Sequence, residues 1–233
     1  MFKKIIFACN FLKINRPLKK ILSSISLDWY EFLLTNKLFQ FFKNDLDLIV
    51  SLKDRDALYN HLKTVINVDC ELTYVEFGVH EGYSIEYIAS IYGNKESTFI
   101  GLDSFEGLPE YWRSGFDIGH FNKDGNVPLS NDPRIKYIKG YFNKTWDQLE
   151  ESIDGRENLL VNYDADLFSS TLYALTRMDS LRKPYYALFD EFYGDELRAL
   201  YYYMKAFDVT VKFLAKSGSK YPINVLCMIS PGK

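Results

Sequence analysis

The chain has 233 residues, 47% of them hydrophobic and 25% charged, and a formal net charge of -3. That length suits one substantial core and is too short for two full catalytic domains, while the hydrophobic and charged shares argue against a disordered or membrane-embedded protein. The slightly acidic balance argues against a general nucleic-acid binder, which gathers Lys and Arg on one face.

The first 27 residues interleave Lys3, Lys4, Lys13, Arg16, Lys19 and Lys20 with Ile, Leu and Phe and carry no acid. The apolar run at 5–12 is interrupted by Asn10 and leads to no small-residue cleavage site, so the stretch reads neither as a signal peptide nor as a transmembrane helix. An amphipathic basic segment of this kind packs on its own domain or a second subunit, or lies on an anionic membrane surface. A homo-oligomer and a peripheral membrane contact are the two expectations attached to it. Residues 29–42 and 48–65 have helix-like apolar spacing and no strong strand signal, so 1–70 is expected to be an N-terminal helical region.

Cys9, Cys70 and Cys227 are odd in number, widely spaced and set among apolar residues, which reads as buried thiols in a reducing compartment, the cytoplasm. His61, His80 and His120 have no Cys or His partners at zinc-ligand spacing.

From residue 73 short apolar runs alternate with helical patterns. Strands are expected at 73–79, 98–103, 134–140, 159–164 and 185–190, followed by an antiparallel pair at 209–216 and 223–229. The expected fold class is therefore α/β. Residues 71–233 are expected to form a Rossmann-like doubly wound sheet, mostly parallel with a C-terminal antiparallel hairpin, an arrangement that resembles class I methyltransferases. Residues 109–133, rich in Gly, Pro and Asn, make a long loop that is either a mobile lid carrying His120 over the site or a surface excursion.

Open α/β sheets bind ligands at the carboxyl ends of their strands. The first expected strand runs into Glu76-Phe77-Gly78-Val79-His80-Glu81-Gly82-Tyr83-Ser84, where the glycines let backbone approach a ligand and open a helix. The second ends at Asp103, at about the 20-residue offset from Gly82 at which an acid meets ribose hydroxyls. The loop lacks both the dinucleotide glycine pattern and a Walker glycine-lysine pair, so a nucleoside without a phosphate chain, such as S-adenosylmethionine, fits better than NAD or a triphosphate. Asp164, Asp166, Asp190 and Glu191 fall at one edge of the sheet. Clustered acids there read as a site for a hard divalent cation, most simply Mg²⁺, with helix capping by Asp166 as the other reading.

Four blocks resemble the macrocin-type sugar O-methyltransferases: Val75-Glu76-Phe77-Gly78-Val79, Gly101-Leu102-Asp103-Ser104-Phe105-Glu106-Gly107-Leu108-Pro109, Lys139-Gly140-Tyr141-Phe142, and Asp164-Ala165-Asp166-Leu167-Phe168-Ser169-Ser170-Thr171. The resemblance covers roughly residues 73–205. It implies transfer of a methyl group from S-adenosylmethionine to a sugar hydroxyl, in glycan or glycosylated natural-product biosynthesis. It further implies Asp166 as general base, Asp164, Asp190 and Glu191 as metal ligands, and Glu76, Asp103 and Ser104 as cofactor contacts, with Gly78, Gly82, Ser84 and Gly140 beside them. Two other classes stand as alternatives: a glycosyltransferase using Asp164-Ala165-Asp166 on a nucleotide sugar, and a non-catalytic scaffold that kept the fold.

Overall fold

In the computed structural model, which describes residues 27–218 and 221–232, the alternating runs form an eight-stranded sheet with helices on both faces. The basic N-terminal segment and Cys9 lie outside the described residues. In chain order the elements are α1 (Leu27–Asp47), β1 (Val50–Leu52), α2 (Arg55–His61), a 3₁₀ turn (Leu62–Thr64), β2 (Thr73–Phe77), α3 (Tyr83–Ile91), β3 (Thr98–Asp103) and β4 (Ile135–Lys139). They continue with α4 (Phe142–Ile153), β5 (Leu159–Tyr163), α5 (Phe168–Asp179), β6 (Tyr185–Phe189), a π turn (Phe192–Glu196), α6 (Leu197–Ala206), β7 (Val209–Ser217) and β8 (Val225–Pro231).

The strands lie in the order β1-β7-β8-β6-β5-β2-β3-β4. Only β8 runs antiparallel, against β6 and β7, so the sheet is mostly parallel with an antiparallel C-terminal hairpin, as the sequence pattern implied. Every residue of β2 and β5 is buried, because helices cover both faces of the sheet centre. Successive side chains of a strand point to opposite faces, and β2 divides accordingly. Val75 and Phe77 join Phe42 and Leu46 of α1, Trp146 of α4 and Leu175 of α5 on one side. Tyr74 joins Leu58 and Tyr59 of α2 and Ile85 and Ile88 of α3 on the other.

The expectation of a helix across 48–65 is corrected. Val50–Leu52 is a strand that pairs parallel with β7, Val50 opposite Ala215 and Leu52 opposite Ser217. Three residues are too few for a period-2 pattern to stand out, and the strand is specified by the otherwise open edge of β7 rather than by its own sequence. Asp54 then starts α2, its side chain accepting the Ala57 N–H at 3.0 Å. Among the described residues no helix is long and apolar enough to cross a membrane.

β2 hydrogen-bonds to both β3 and β5, so the chain leaves β2 toward one edge of the sheet and passes from β5 toward the other. This is the switch point at which parallel sheets open a crevice beyond their strand ends.

Candidate functional site

A cavity of about 690 Å³ opens at that crevice. Its wall joins the turn after β2 (Gly78, Val79, His80), the end of β3 (Asp103, Ser104) and the carboxylates after β5 and β6 (Asp164, Asp166, Asp190, Glu191). Gly78 has φ of +92°, and a Cβ there would lie 1.8 Å from the Asp164 carbonyl oxygen. Only glycine lets the ends of β2 and β5 approach this closely.

On the β3 side a single carboxylate organises two turns. Asp103 Oδ2 accepts the Val79 and His80 N–H groups at 2.8 and 2.9 Å, and Oδ1 accepts the Phe105 N–H at 2.7 Å. The Ser104 hydroxyl accepts the Glu106 N–H at 3.1 Å. The three bonds to the Asp103 carboxylate are charge-assisted and, with the Ser104 bond, fix the backbone of both turns.

The β5–β6 side has the opposite character. Asp166 sits in the left-handed region with φ of +59°, in a tight turn closed by the Leu167 N–H on the Ala165 carbonyl at 2.5 Å. A non-glycine residue there carries backbone strain that the surrounding structure must hold. The helix-capping reading of Asp166 is not met: α5 is preceded by Leu167, with no side-chain cap bond. Burial, the nearby Glu191 and further acids push the Asp166 carboxyl up to about 7, against the pull of Arg113. Burial and the neighbouring Asp190, Glu76 and Asp166 carboxylates raise Asp164 well above the usual range. Asp190 is raised by burial despite the Arg55 guanidinium 3.5 Å away and the Asn224 amide donating to Oδ1 at 2.9 Å. Glu191 pairs with Arg113 at 3.4 Å.

Behind this edge stands Glu196, only 1% exposed. Its Oε2 accepts the Glu191 N–H at 3.1 Å, while Oε1 has no hydrogen-bond partner. Burial, followed by Asp190 and the other acids, raises this carboxyl well above its ordinary value.

Of the residues expected to contact a cofactor, Gly78, Asp103 and Ser104 line the cavity, while Glu76, Gly82, Ser84 and Gly140 are not among its lining residues. Glu76 is 1% exposed and takes the Tyr74 hydroxyl on Oε2 at 3.0 Å. Ser84 is buried and accepts the Tyr59 hydroxyl at 3.1 Å. Gly82 precedes α3 in a left-handed conformation, and Gly140 lies against Thr145.

Several lining residues escaped the sequence reading. Arg55 reaches in from the first turn of α2, its guanidinium 5.0 Å from the Tyr83 ring centre. A lone arginine in a helical pattern carries no motif. Ser169, Ser170 and Tyr173 of α5 also face the cavity, and their helical spacing, i, i+1 and i+4, was a usable signal.

The loop at 109–133 lies against the acid edge. Trp112 is buried with Leu108 and Leu167, the Ser169 hydroxyl donates to Glu110, and Lys123 pairs with Glu81. His120 is exposed, its ring 4.6 Å from Phe116; the neighbouring Phe121, not His120, lines the cavity.

Among the described residues no group of three or more His, Cys, Asp or Glu is gathered closely enough to hold a metal ion. Asp164, Asp190 and Glu191 share one edge, with Asp190 turned to Arg55 and Asn224 and Glu191 to Arg113. Every donor in the set is a carboxylate oxygen, the type a hard cation takes.

No protein-family model and no curated protein sequence matches the chain. Solved structures do. A calicheamicin methyltransferase, CalS11, superposes with a TM-score of 0.53 at 18% identity, over 86% of this chain and 93% of its own. The O-methyltransferase NovP gives 0.50 at 18% identity, over 72% of this chain and 74% of its own. An O-methyltransferase from Bacillus cereus in complex with SAH gives 0.50 at 15% identity, over 84% and 90%. At such identities the likeness is one of fold: a Rossmann-like sheet shared with methyltransferases.

Proposed function

We propose that the chain is an S-adenosylmethionine-dependent O-methyltransferase that methylates a sugar hydroxyl. The observation that carries this reading is one cavity in which the glycine turn after β2 and the β3 acid Asp103 meet the half-buried base candidate Asp166. Similarity of fold to CalS11, to NovP and to an O-methyltransferase in complex with SAH supports the cofactor and the reaction class. The sugar acceptor rests on the macrocin-type blocks of the sequence, and assignment to that family is part of the proposal.

When bound, S-adenosylmethionine supplies an electrophilic methyl group; its passage to an acceptor oxygen breaks a carbon–sulfur bond, forms a carbon–oxygen bond and leaves S-adenosylhomocysteine and a proton. Asp103 and the backbone it ties down present a preformed surface to the nucleoside. Asp166 takes the proton from the acceptor hydroxyl, a role suited by a carboxyl held up to about 7, close to neutral operating pH. Ser170 and Tyr173 offer hydroxyls along the wall where a polar acceptor lies. A divalent cation held by Asp164, Asp190 and Glu191 would supply Lewis acidity toward neighbouring acceptor hydroxyls. The experiment is a pair of measurements on wild type and Asp166→Asn: S-adenosylhomocysteine binding, and its formation from S-adenosylmethionine across a panel of sugar acceptors. Binding retained and turnover lost in the variant support the assignment; an active Asp166→Asn protein removes Asp166 from it.

A further inference from the structure

Arg55 and Lys144 are the two Lys or Arg side chains on the cavity wall, and the sheet keeps them apart. Lys144 follows β4 at one edge, whereas Arg55 meets Asp190, which follows β6, four strands away. Arg55 lies outside the four sequence blocks and opens α2, where the Asp54 cap fixes the first turn. Its guanidinium carbon stands 5.0 Å from the Tyr83 ring centre and 6.0 Å from that of Tyr59. Both rings are tied down by their hydroxyls: Tyr83 donates to Asp56, the next residue of α2, at 3.0 Å, and Tyr59 donates to the buried Ser84 at 3.1 Å. The guanidinium therefore rests on an aromatic platform whose hold on it does not depend on the acids.

A fork held in this way is underused. An arginine carries five N–H donors in one plane, matched to the two oxygens of a carboxylate. Among the described residues Arg55 makes one side-chain hydrogen bond, from Nη1 to Asp190 Oδ2 at 3.5 Å, beyond the usual range for such a bond. Asp190 is held more closely by the Asn224 amide, which donates to Oδ1 at 2.9 Å. With 37% of the Arg55 side chain accessible at the cavity wall, the other donors are open to a ligand.

The surroundings select the kind of ligand. Asp164 and Asp190 line the same wall, so a phosphate, with up to two negative charges and no compensating cation, meets repulsion there. An α-amino acid head group does not: its carboxylate fits the fork, and its ammonium, one carbon away, offsets that charge among the acids. The topology sets the direction. Asp103 follows β3, on one side of β2, and Asp164 and Asp190 follow β5 and β6, on the other. A ligand with its nucleoside at Asp103 that crosses the Gly78 turn brings its other end toward Arg55.

We infer that Arg55 binds the carboxylate of the amino-acid head group of S-adenosylmethionine, so that α2 supplies a cofactor contact from outside the blocks that carry the family resemblance. This rests on the methyltransferase reading.

The test is calorimetric titration of wild type, Arg55→Gln and Arg55→Lys with two ligands: S-adenosylhomocysteine, and its decarboxylated analogue, which keeps the nucleoside, the sulfur and the amine. Wild type should prefer S-adenosylhomocysteine by about 30-fold, the scale of hydrogen bonds between charged groups. Arg55→Gln should lose about 30-fold for S-adenosylhomocysteine and less than about threefold for the analogue. Arg55→Lys should fall between, because it keeps the charge without the fork. Equal losses for both ligands in Arg55→Gln, or an unchanged affinity for S-adenosylhomocysteine, overturn the inference. Equal affinities of wild type for the two ligands overturn it without any variant. In each of these cases binding by wild type keeps the methyltransferase reading, whereas a wild type that binds neither ligand removes both.

Discussion

The two halves of the cavity treat their carboxylates in opposite ways. Asp103, at the end of β3, accepts three backbone N–H groups, whereas Asp164 and Asp166, at the end of β5, accept no hydrogen bond from a described residue. One acid has been spent on holding the protein's own backbone. The others are kept buried, mutually repelling and, at Asp166, on strained backbone. Acids held at such a cost are candidates for a ligand or a proton to satisfy, so under the proposed function the contrast separates a preformed binding surface from a reactive edge.

The sharpest way to break this contrast is to neutralise the reactive side. Asp166→Asn should lower methyl transfer by about 10²- to 10⁴-fold, measured as S-adenosylhomocysteine formed, while its affinity for that product stays near wild type. The preformed side should respond the other way round. Asp103→Ala frees the turns at 79–80 and 105, and calorimetry should find S-adenosylhomocysteine binding lost together with about 2–4 kcal/mol of stability in denaturant titration.

Glu76 sharpens the comparison by pH. Its carboxyl is pushed up from 4.5 to about 8 by burial, only partly offset by the Tyr74 hydroxyl. Because the folded value lies above the unfolded one, stability is full below about 4.5 and falls as pH rises through about 8. Glu76→Gln should flatten that fall and stand about 1–3 kcal/mol above wild type at pH 9 in thermal or denaturant melts. Binding of S-adenosylhomocysteine should change by less than about threefold, the behaviour of a residue outside the cavity lining. A tenfold loss would return Glu76 to direct cofactor contact. The smallest effect is expected at His120, which is exposed and outside the cavity. His120→Ala should alter stability by less than about 0.5 kcal/mol and leave binding and turnover unchanged.

Much of the sheet was legible in the sequence because β2, β3, β5 and β6 are buried runs bounded by turn residues, and their ends carry the glycines and acids that mark a ligand edge. β1 was not, because Val50–Leu52 is three residues long and specified by its partner β7. The cavity lining was legible where chemistry and motif coincide, at Gly78, Asp103, Asp164, Asp166, Asp190 and Glu191. It was not legible at Arg55 and Arg113, single charges whose meaning comes only from folding a helix turn and a loop against distant acids. Glu196 was missed for a similar reason. An acid inside an irregular π turn reads as solvated, and only packing shows it buried beneath Glu191. Glu76 is a different case: an acid near the end of a strand beside a glycine turn reads as a ligand contact, and packing shows it buried and bonded to the Tyr74 hydroxyl.

The most direct test of the central claim is calorimetric titration of S-adenosylmethionine into the wild-type chain, with a nucleotide sugar titrated in parallel. Saturable one-to-one binding of S-adenosylmethionine, abolished in Asp103→Ala, is the predicted result; binding of the nucleotide sugar with none of S-adenosylmethionine would contradict the account and favour glycosyl transfer.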